Sequence, residues 1–186
     1  MLKKVLVLLI IIFLIFIFIL KFFDKEKKIE QKKTENINTY NSNLLENVEY
    51  IAMDSKGNQY IIRAVSGEID FNNNEIIFLK DVRSQIKLTN SDEINIKSDF
   101  GKYNTNNYDT IFSKNVIIDY LDNKITGNYL DFSLVKNKMI MSKNVIFTNL
   151  ENILQADVIE IDINTKDTKI FMYNENKKVN IKNKNY

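Results

Sequence analysis

From residue 44 onward, apolar and polar side chains alternate with a period of two. Leu130, Phe132 and Leu134 fall on one side, with Tyr129, Asp131 and Ser133 on the other. Ile159, Ile161 and Ile163 alternate with Val158, Glu160 and Asp162, and Ile69 and Phe71 with Glu68 and Asp70. This is the alternation of strands with one buried and one wet face. The copy at 98–105 is the weakest: Gly101, Tyr103 and Thr105 hold the phase, while Phe100 falls outside it. Turn residues follow at 72–74, 105–107, 136–138 and 165–167, where Asn and Asp tolerate left-handed conformations. The pattern predicts second strands at 75–79, 109–112, 139–141 and 168–171, and third strands at 82–88, 116–120 and 145–148.

The alternation is also repeated. Ala64, Ser98 and Gly127 each precede a Val by 18 positions: Val82, Val116 and Val145. Two of these valines close the same tripeptide, Lys114-Asn115-Val116 and Lys143-Asn144-Val145, and the first closes Lys80-Asp81-Val82. A fourth copy starts at Ala156 without the Val. Fixed-period self-similarity marks a stacked repeat architecture. No stretch of the body holds a helical period, and β-branched and aromatic residues are frequent. The prediction is an all-β body: a jelly roll, a barrel or a solenoid of repeated antiparallel strand units. With four Gly and no Pro in the chain, Asn takes over the turn chemistry.

Before the body the pattern changes. Residues 5–20 are uninterruptedly apolar; Lys21 intervenes, and Phe22 and Phe23 follow. A spanning helix needs roughly 20 residues, with about 17 as a usual minimum, so 5–23 suffices if Lys21 snorkels. A cleaved signal would end in small residues, and this run ends in Lys-Phe-Phe-Asp-Lys. The expected organisation is a tail at 1–4, a transmembrane anchor at 5–23, a charged linker at 24–43, the β domain at 44–182 and a C-terminal tail at 183–186. Lysine placement around the span favours a cytoplasmic body. The short basic tail before a long apolar run instead fits a signal anchor that exports its body, so charge alone leaves orientation open.

Composition removes several chemistries. With no Cys and no His, thiol catalysis, disulfides and the commonest metal ligands are excluded. No phosphate-binding Gly-rich loop can be written. Formal net charge is +2, and beyond the linker the chain is slightly acidic, which argues against nucleic acid. No catalytic residue, metal ligand or cofactor site is predicted. The carboxylate pairs Glu68/Asp70 and Glu160/Asp162 lie on polar strand faces and read as solvated surface.

One constellation remains, an inward stripe of Ile69, Phe71, Phe78, Tyr103, Phe112, Phe132, Leu134, Met141, Phe147 and Ile161, joined by Ile86 and Ile118 from the third strands. It is either an ordinary core or the lining of a groove for acyl chains. Burying a 12-carbon chain contributes roughly 10 kcal/mol, at about 0.8 kcal/mol per methylene.

These features together resemble the lipopolysaccharide export protein family LptC, which shares its scaffold with LptA and the N-terminal domain of LptD. The resemblance covers nearly the whole chain. Residues 53–64, in which Gly57 makes the turn before Tyr60-Ile61-Ile62 and Ala64, are similar to the family's opening strand. Ser98-Asp99-Phe100-Gly101-Lys102-Tyr103 resembles its repeat unit, and Lys-Asn-Val stands where members often carry Gly before Val. The resemblance implies an elongated twisted β-jelly roll behind one transmembrane helix, N-terminus cytoplasmic and body periplasmic, on the inner membrane. It implies lipopolysaccharide as ligand in the groove. It also implies the membrane subunits of an inner-membrane ABC transporter and an LptA-like periplasmic bridge protein of the same fold as partners. Edge strands would pair with partners through Tyr50 and Ile51 at the opening end and Phe171, Tyr173, Val179 and Ile181 at the far end. Two other readings stand beside the non-enzymatic lipid conduit. One is a membrane-tethered structural β-solenoid that binds no lipid. The other is a carbohydrate-active enzyme using Glu160 or Asp162.

Overall fold

The computed structural model describes residues 30–33, 43–89 and 91–184, so the expected anchor at 5–23 lies outside the described residues. Among the described residues no helix is long and apolar enough to cross a membrane. All regular structure among the described residues is β: β1 (Glu30–Lys33), β2 (Leu44–Met53), β3 (Gln59–Ile69), β4 (Ile76–Lys87), β5 (Ile94–Asn104), β6 (Thr110–Tyr120), β7 (Asn123–Ser133), β8 (Lys138–Thr148), β9 (Asn152–Asp162), β10 (Thr168–Phe171) and β11 (Asn180–Asn183). The order in the sheet is the order in the chain from β1 to β10, every pairing antiparallel, with β11 also on β9.

The expected second and third strands are one strand each. β4, over 76–87, runs unbroken across the expected division between 79 and 82, as β6 and β8 do in their copies. The break expected before each Val lies inside a strand: at Val116 and Val145 the register shifts by a β-bulge, while at Val48 and Val82 the ladder skips one pair without a shift. Asn47, Asp81, Lys114, Asn115, Lys143 and Asn144 all have positive φ, between 50° and 67°. They precede Val48, Val82, Val116 and Val145, which pair with Ala64, Ala64 and Ser98, Gly127, and Ala156 respectively. A bulge bends its strand, and here the bulges of the later strands and the left-handed residues Asn47 and Asp81 of the earlier ones align across the sheet into one crease.

The crease divides each strand between two layers. On β3, β5, β7 and β9 the buried residues flanking it are three apart: Ala64 and Gly67, Ser98 and Gly101, Gly127 and Leu130, Ala156 and Ile159. A three-residue step reverses the side-chain direction of a straight strand. With a corner at that point, both halves keep their apolar side inward. One layer holds Tyr50, Ile62, Ile96, Ile118 and Ile125 inside; the other holds Leu79, Tyr103, Phe112, Leu130 and Met141, and all join one core. Small residues make the corner passable. A Cβ on Gly67 would lie 3.1 to 3.2 Å from Leu79, Ile77 and Val48, and one on Gly127 would lie 2.8 Å from Met141 Sδ.

The last edge is divided in the same way. β10 pairs with 158–161 of β9 and β11 with 152–155, and residues 172–179 leave the sheet between them at the level of the crease. At the first edge, Glu30–Lys33 pairs with Tyr50–Met53. Part of the expected linker is therefore a strand.

Candidate functional site

The functional candidate is the space between the layers, opposite the crease. Ten of the twelve stripe residues lie there. Ile86, Tyr103, Phe112, Ile118, Phe132, Leu134 and Met141 are in the core, and Ile69, Phe147 and Ile161 pack against it half-buried. Phe71 and Phe78 do not face it. β3 ends at Ile69, leaving Phe71 in the following turn at 92% exposure. On β4 the inward phase belongs to Ile77 and Leu79, which puts Phe78 between them on the outer face, 45% exposed.

The layers meet along this free side through rings. Tyr50 stacks on Tyr103 with centroids 4.9 Å apart and planes at 29°. Tyr60 packs on Phe132 at 6.0 Å and 44°. Further along, Lys166 Nζ sits 5.7 Å from the Tyr120 ring centroid. Each contact joins strands three or four places apart, so the layers are slid along one another. The polar contacts nearby stay within a layer: Asn58 Oδ1 accepts from Thr89 N at 2.9 Å, Ser91 and Tyr120 hydroxyls are 2.9 Å apart, and Glu75 O accepts from Thr105 N at 2.8 Å. The seam is thus a line of aromatic packing, not a hydrogen-bonded ladder.

Tyr60 is set by the hairpin before it. Gly57 takes φ 82° and donates its N–H to Asp54 O at 3.0 Å. The Asp54 carboxylate, itself buried, accepts from Lys56 N, Asn58 N and Asn58 Nδ2 at 2.9 to 3.0 Å, and from the Tyr60 hydroxyl at 3.4 Å. Burial, with the Asp54 charge second, pushes the Tyr60 phenol up to about 12. Burial also raises Tyr103 and Tyr50. These phenols stay neutral at any physiological pH and behave as apolar surface with a polar tip.

The interior is filled by its own side chains. The cavity at the seam, lined by Tyr60, Tyr103, Tyr108, Phe132 and Leu134, has a volume near 20 Å³, room for about one water. A space of that volume does not hold an acyl chain. The inner row is open at one end, however. Ile125, Phe147, Leu154 and Ile181 are successive cross-strand partners, and their burial falls from buried through half-buried to 63% exposed.

The expected partner edges fall differently. Tyr50 is buried against Tyr103, and the backbone edge at Tyr50 and Ile51 is taken by β1. Of the expected opening edge, Leu44–Ala52, only Leu44–Glu49 is left without an outer partner strand among the described residues, because a hydrogen-bonded edge has no groups left for a second strand. At the far end Phe171, Tyr173 and Ile181 are exposed and Val179 is half-buried. The carboxylates hold structure. Glu160 Oε1 accepts from Lys138 Nζ at 2.5 Å, which lowers its pKa. Asp162 caps the next turn through Asn164 N and Thr165 N, both at 2.9 Å, and is lowered chiefly by the Thr165 hydrogen bond. Both point away from the interior.

What sequence reasoning missed is on the outer face. Lys114 Nζ lies 4.9 Å from the Phe100 ring centroid, and Lys143 Nζ lies 5.4 Å from that of Tyr129. The signal was present: Phe100 breaks the inward phase, and each lysine opens a Lys-Asn-Val copy.

The chain also has counterparts among known proteins. Residues 6–184 match the family LptC, described as lipopolysaccharide-assembly, LptC-related. Among solved structures, the chain is similar to LptH of Pseudomonas aeruginosa, the LptA-homologous periplasmic component of the lipopolysaccharide transport device. The TM-score is 0.49 at 10% identity, over 66% of this chain and 92% of that one. No curated protein sequence matches. With 6–184 of its residues under one family description, the chain belongs to the LptC-related family of lipopolysaccharide-assembly proteins.

Proposed function

We propose that this protein is a membrane-anchored, non-enzymatic component of the lipopolysaccharide export machine. Residues 5–23 anchor it in the inner membrane with the β domain in the periplasm. It takes lipid from the membrane subunits of an ABC transporter and passes it to an LptA-like bridge protein. The observation that carries this reading is the seam: two apolar inner faces whose contacts along one side are led by the ring pairs Tyr50–Tyr103 and Tyr60–Phe132. Parting it exposes Tyr50, Tyr60, Tyr103 and Phe132, at roughly 2 kcal/mol each. One acyl chain of about 12 carbons contributes roughly 10 kcal/mol on burial, enough to offset that cost. The exit is the open end at Phe147, Leu154 and Ile181, where a strand of the bridge protein adds beside β11.

The filled interior favours a second reading, a structural β-solenoid that polymerises end to end and holds no lipid. Photocrosslinking in living cells separates the two. A probe replacing Phe112 or Phe132 gives a lipopolysaccharide adduct in the conduit, with Asp131 on the outer face as the silent control. Adducts only to neighbouring copies of the chain would establish the solenoid.

A further inference from the structure

The outer face of the layer beyond the crease carries a feature that lipid passage does not use. Two adjacent cross-strand rows lie there. In one, Phe78 pairs with Lys102 and Lys102 with Ile111; in the other, Lys80 pairs with Phe100, Phe100 with Ser113, and Ser113 with Tyr129. On β4 and β5 aromatics and lysines thus alternate both along and across the strands. Phe78 and Phe100 are 45% and 37% exposed, and a shallow depression of about 370 Å³ runs between them, with Leu44, 53% exposed, at its margin. Single exposed apolar residues are ordinary on any surface; a contiguous apolar patch is not.

The lysines are placed there by the repeat. Lys114 and Lys143 each occupy the first left-handed position of a bulge, at φ 60° and 67°, and their ammonium groups reach over Phe100 and Tyr129. Lys80, Lys102, Lys114 and Lys143 take no part in the ion pairs of the described residues. The one acid lining the depression is Glu68. The same rows also carry Glu46 and Asp131, the latter opposite Ile111, so the lysines Lys80, Lys102, Lys114 and Lys143 outnumber the acids Glu46, Glu68 and Asp131 and the patch is amphipathic with a slight positive excess. Long lysine stems lie on apolar surface with their charges outermost.

We propose that this face docks on the headgroup layer of an anionic phospholipid bilayer. Charge complementarity selects that occupant. Unpaired lysines seek phosphates, while aromatic rings flanked by them settle at the boundary of headgroup and acyl chain. Each lysine near an anionic surface adds about fivefold to partitioning. The docked face lies outside the layers, so this contact is independent of whatever fills the interior.

The chain contains no Trp, which makes a single reporter clean. Full-length protein carrying Phe100→Trp is reconstituted into phosphatidylcholine vesicles with or without phosphatidylglycerol, both containing brominated acyl chains. Flotation records how much chain is on the vesicles. Bromine is expected to quench the emission at least about twofold when phosphatidylglycerol is present, and much less without it. Replacing the four lysines by Gln should remove the quenching. The variant Ile117→Trp, with its reporter on the outer face of the other layer, should remain unquenched. The proposal is overturned if the Phe100→Trp reporter is unquenched in phosphatidylglycerol vesicles, whether or not the chain floats with them. It is equally overturned if quenching ignores phosphatidylglycerol or survives loss of the lysines. An unquenched reporter at this position would leave the face to a protein partner or to solvent.

Discussion

Phe132 on β7 packs against Tyr60 on β3, four strands away along the sheet, with ring centroids 6.0 Å apart. The pair closes the free side of the interior, and each ring belongs to a different layer.

Phe132→Ala should therefore separate stability from lipid capture. Without lipid, truncating this buried ring is expected to cost about 3 kcal/mol. With lipopolysaccharide bound, a chain occupies the vacated volume and the deficit shrinks. Urea denaturation with and without lipid measures both. An identical deficit in the two conditions would count against a lipid-filled interior.

Asn144 holds φ 59° in the β8 bulge. The left-handed conformation costs an ordinary residue about 1–2 kcal/mol, less for Asn and nothing for Gly. Asn144→Gly should raise the urea midpoint slightly, and Asn144→Val should lower it, with a loss of about 1–2 kcal/mol in stability. Equal stabilities would mean that the bulge is not formed in solution.

Gly67 and Gly127 answer the same substitution differently. A Cβ at Gly67 meets three branched side chains, Leu79, Ile77 and Val48, whereas at Gly127 its nearest neighbour is the thioether of Met141. Met adapts its rotamer and branched residues do not. Gly67→Ala should destabilise by about 1–3 kcal/mol, and Gly127→Ala by less. The reverse order in thermal denaturation would contradict the described corner packing.

Alkali should unfold the domain through its tyrosines. Tyr50, Tyr60 and Tyr103 all have raised folded pKa values, so above pH 10 the unfolded chain loses protons that the folded one keeps. The stability they contribute is complete below about pH 10 and is lost as pH rises through about 12, the value for Tyr60. Phenolate absorbance and circular dichroism recorded together should show late, cooperative ionisation coincident with loss of sheet. Non-cooperative ionisation near pH 10 would place these rings in water.

Ile181 tests the exit. At 63% exposure, Ile181→Lys should leave thermal stability unchanged. It should weaken capture of the bridge protein by roughly tenfold, as loss of one apolar interface anchor does. Unaltered capture would move the exit elsewhere.

Much of this was legible in the chain, and the failures share a cause. Leu130, Phe132, Ile159 and Ile161 were assigned inward from alternation alone, because a half-buried strand leaves no other period. Phe78 was misassigned because Phe, Ile77 and Leu79 are consecutive and apolar, so alternation gives no phase there; cross-strand pairing with Lys102 sets it. The expected second and third strands were divided where the bulges lie, since a left-handed Asn marks a turn and a bulge alike. What distinguishes them is whether the next strand reverses or continues, a property of tertiary pairing and not of three residues. β1 was invisible because four charged or amide-bearing residues, Glu30–Lys33, carry no strand pattern and are drawn into the sheet only by the edge at Tyr50–Met53.

The sheet order that follows chain order has a consequence for size. Ser98, Gly127 and Ala156 mark corners at intervals of 29 residues, and each interval is one hairpin hydrogen-bonded only to its neighbours in the sheet. Removing or duplicating such an interval would rewire no pairing. The length of the body is thus a quantity that a single recombination event can change in steps of about 10 Å, two strand spacings.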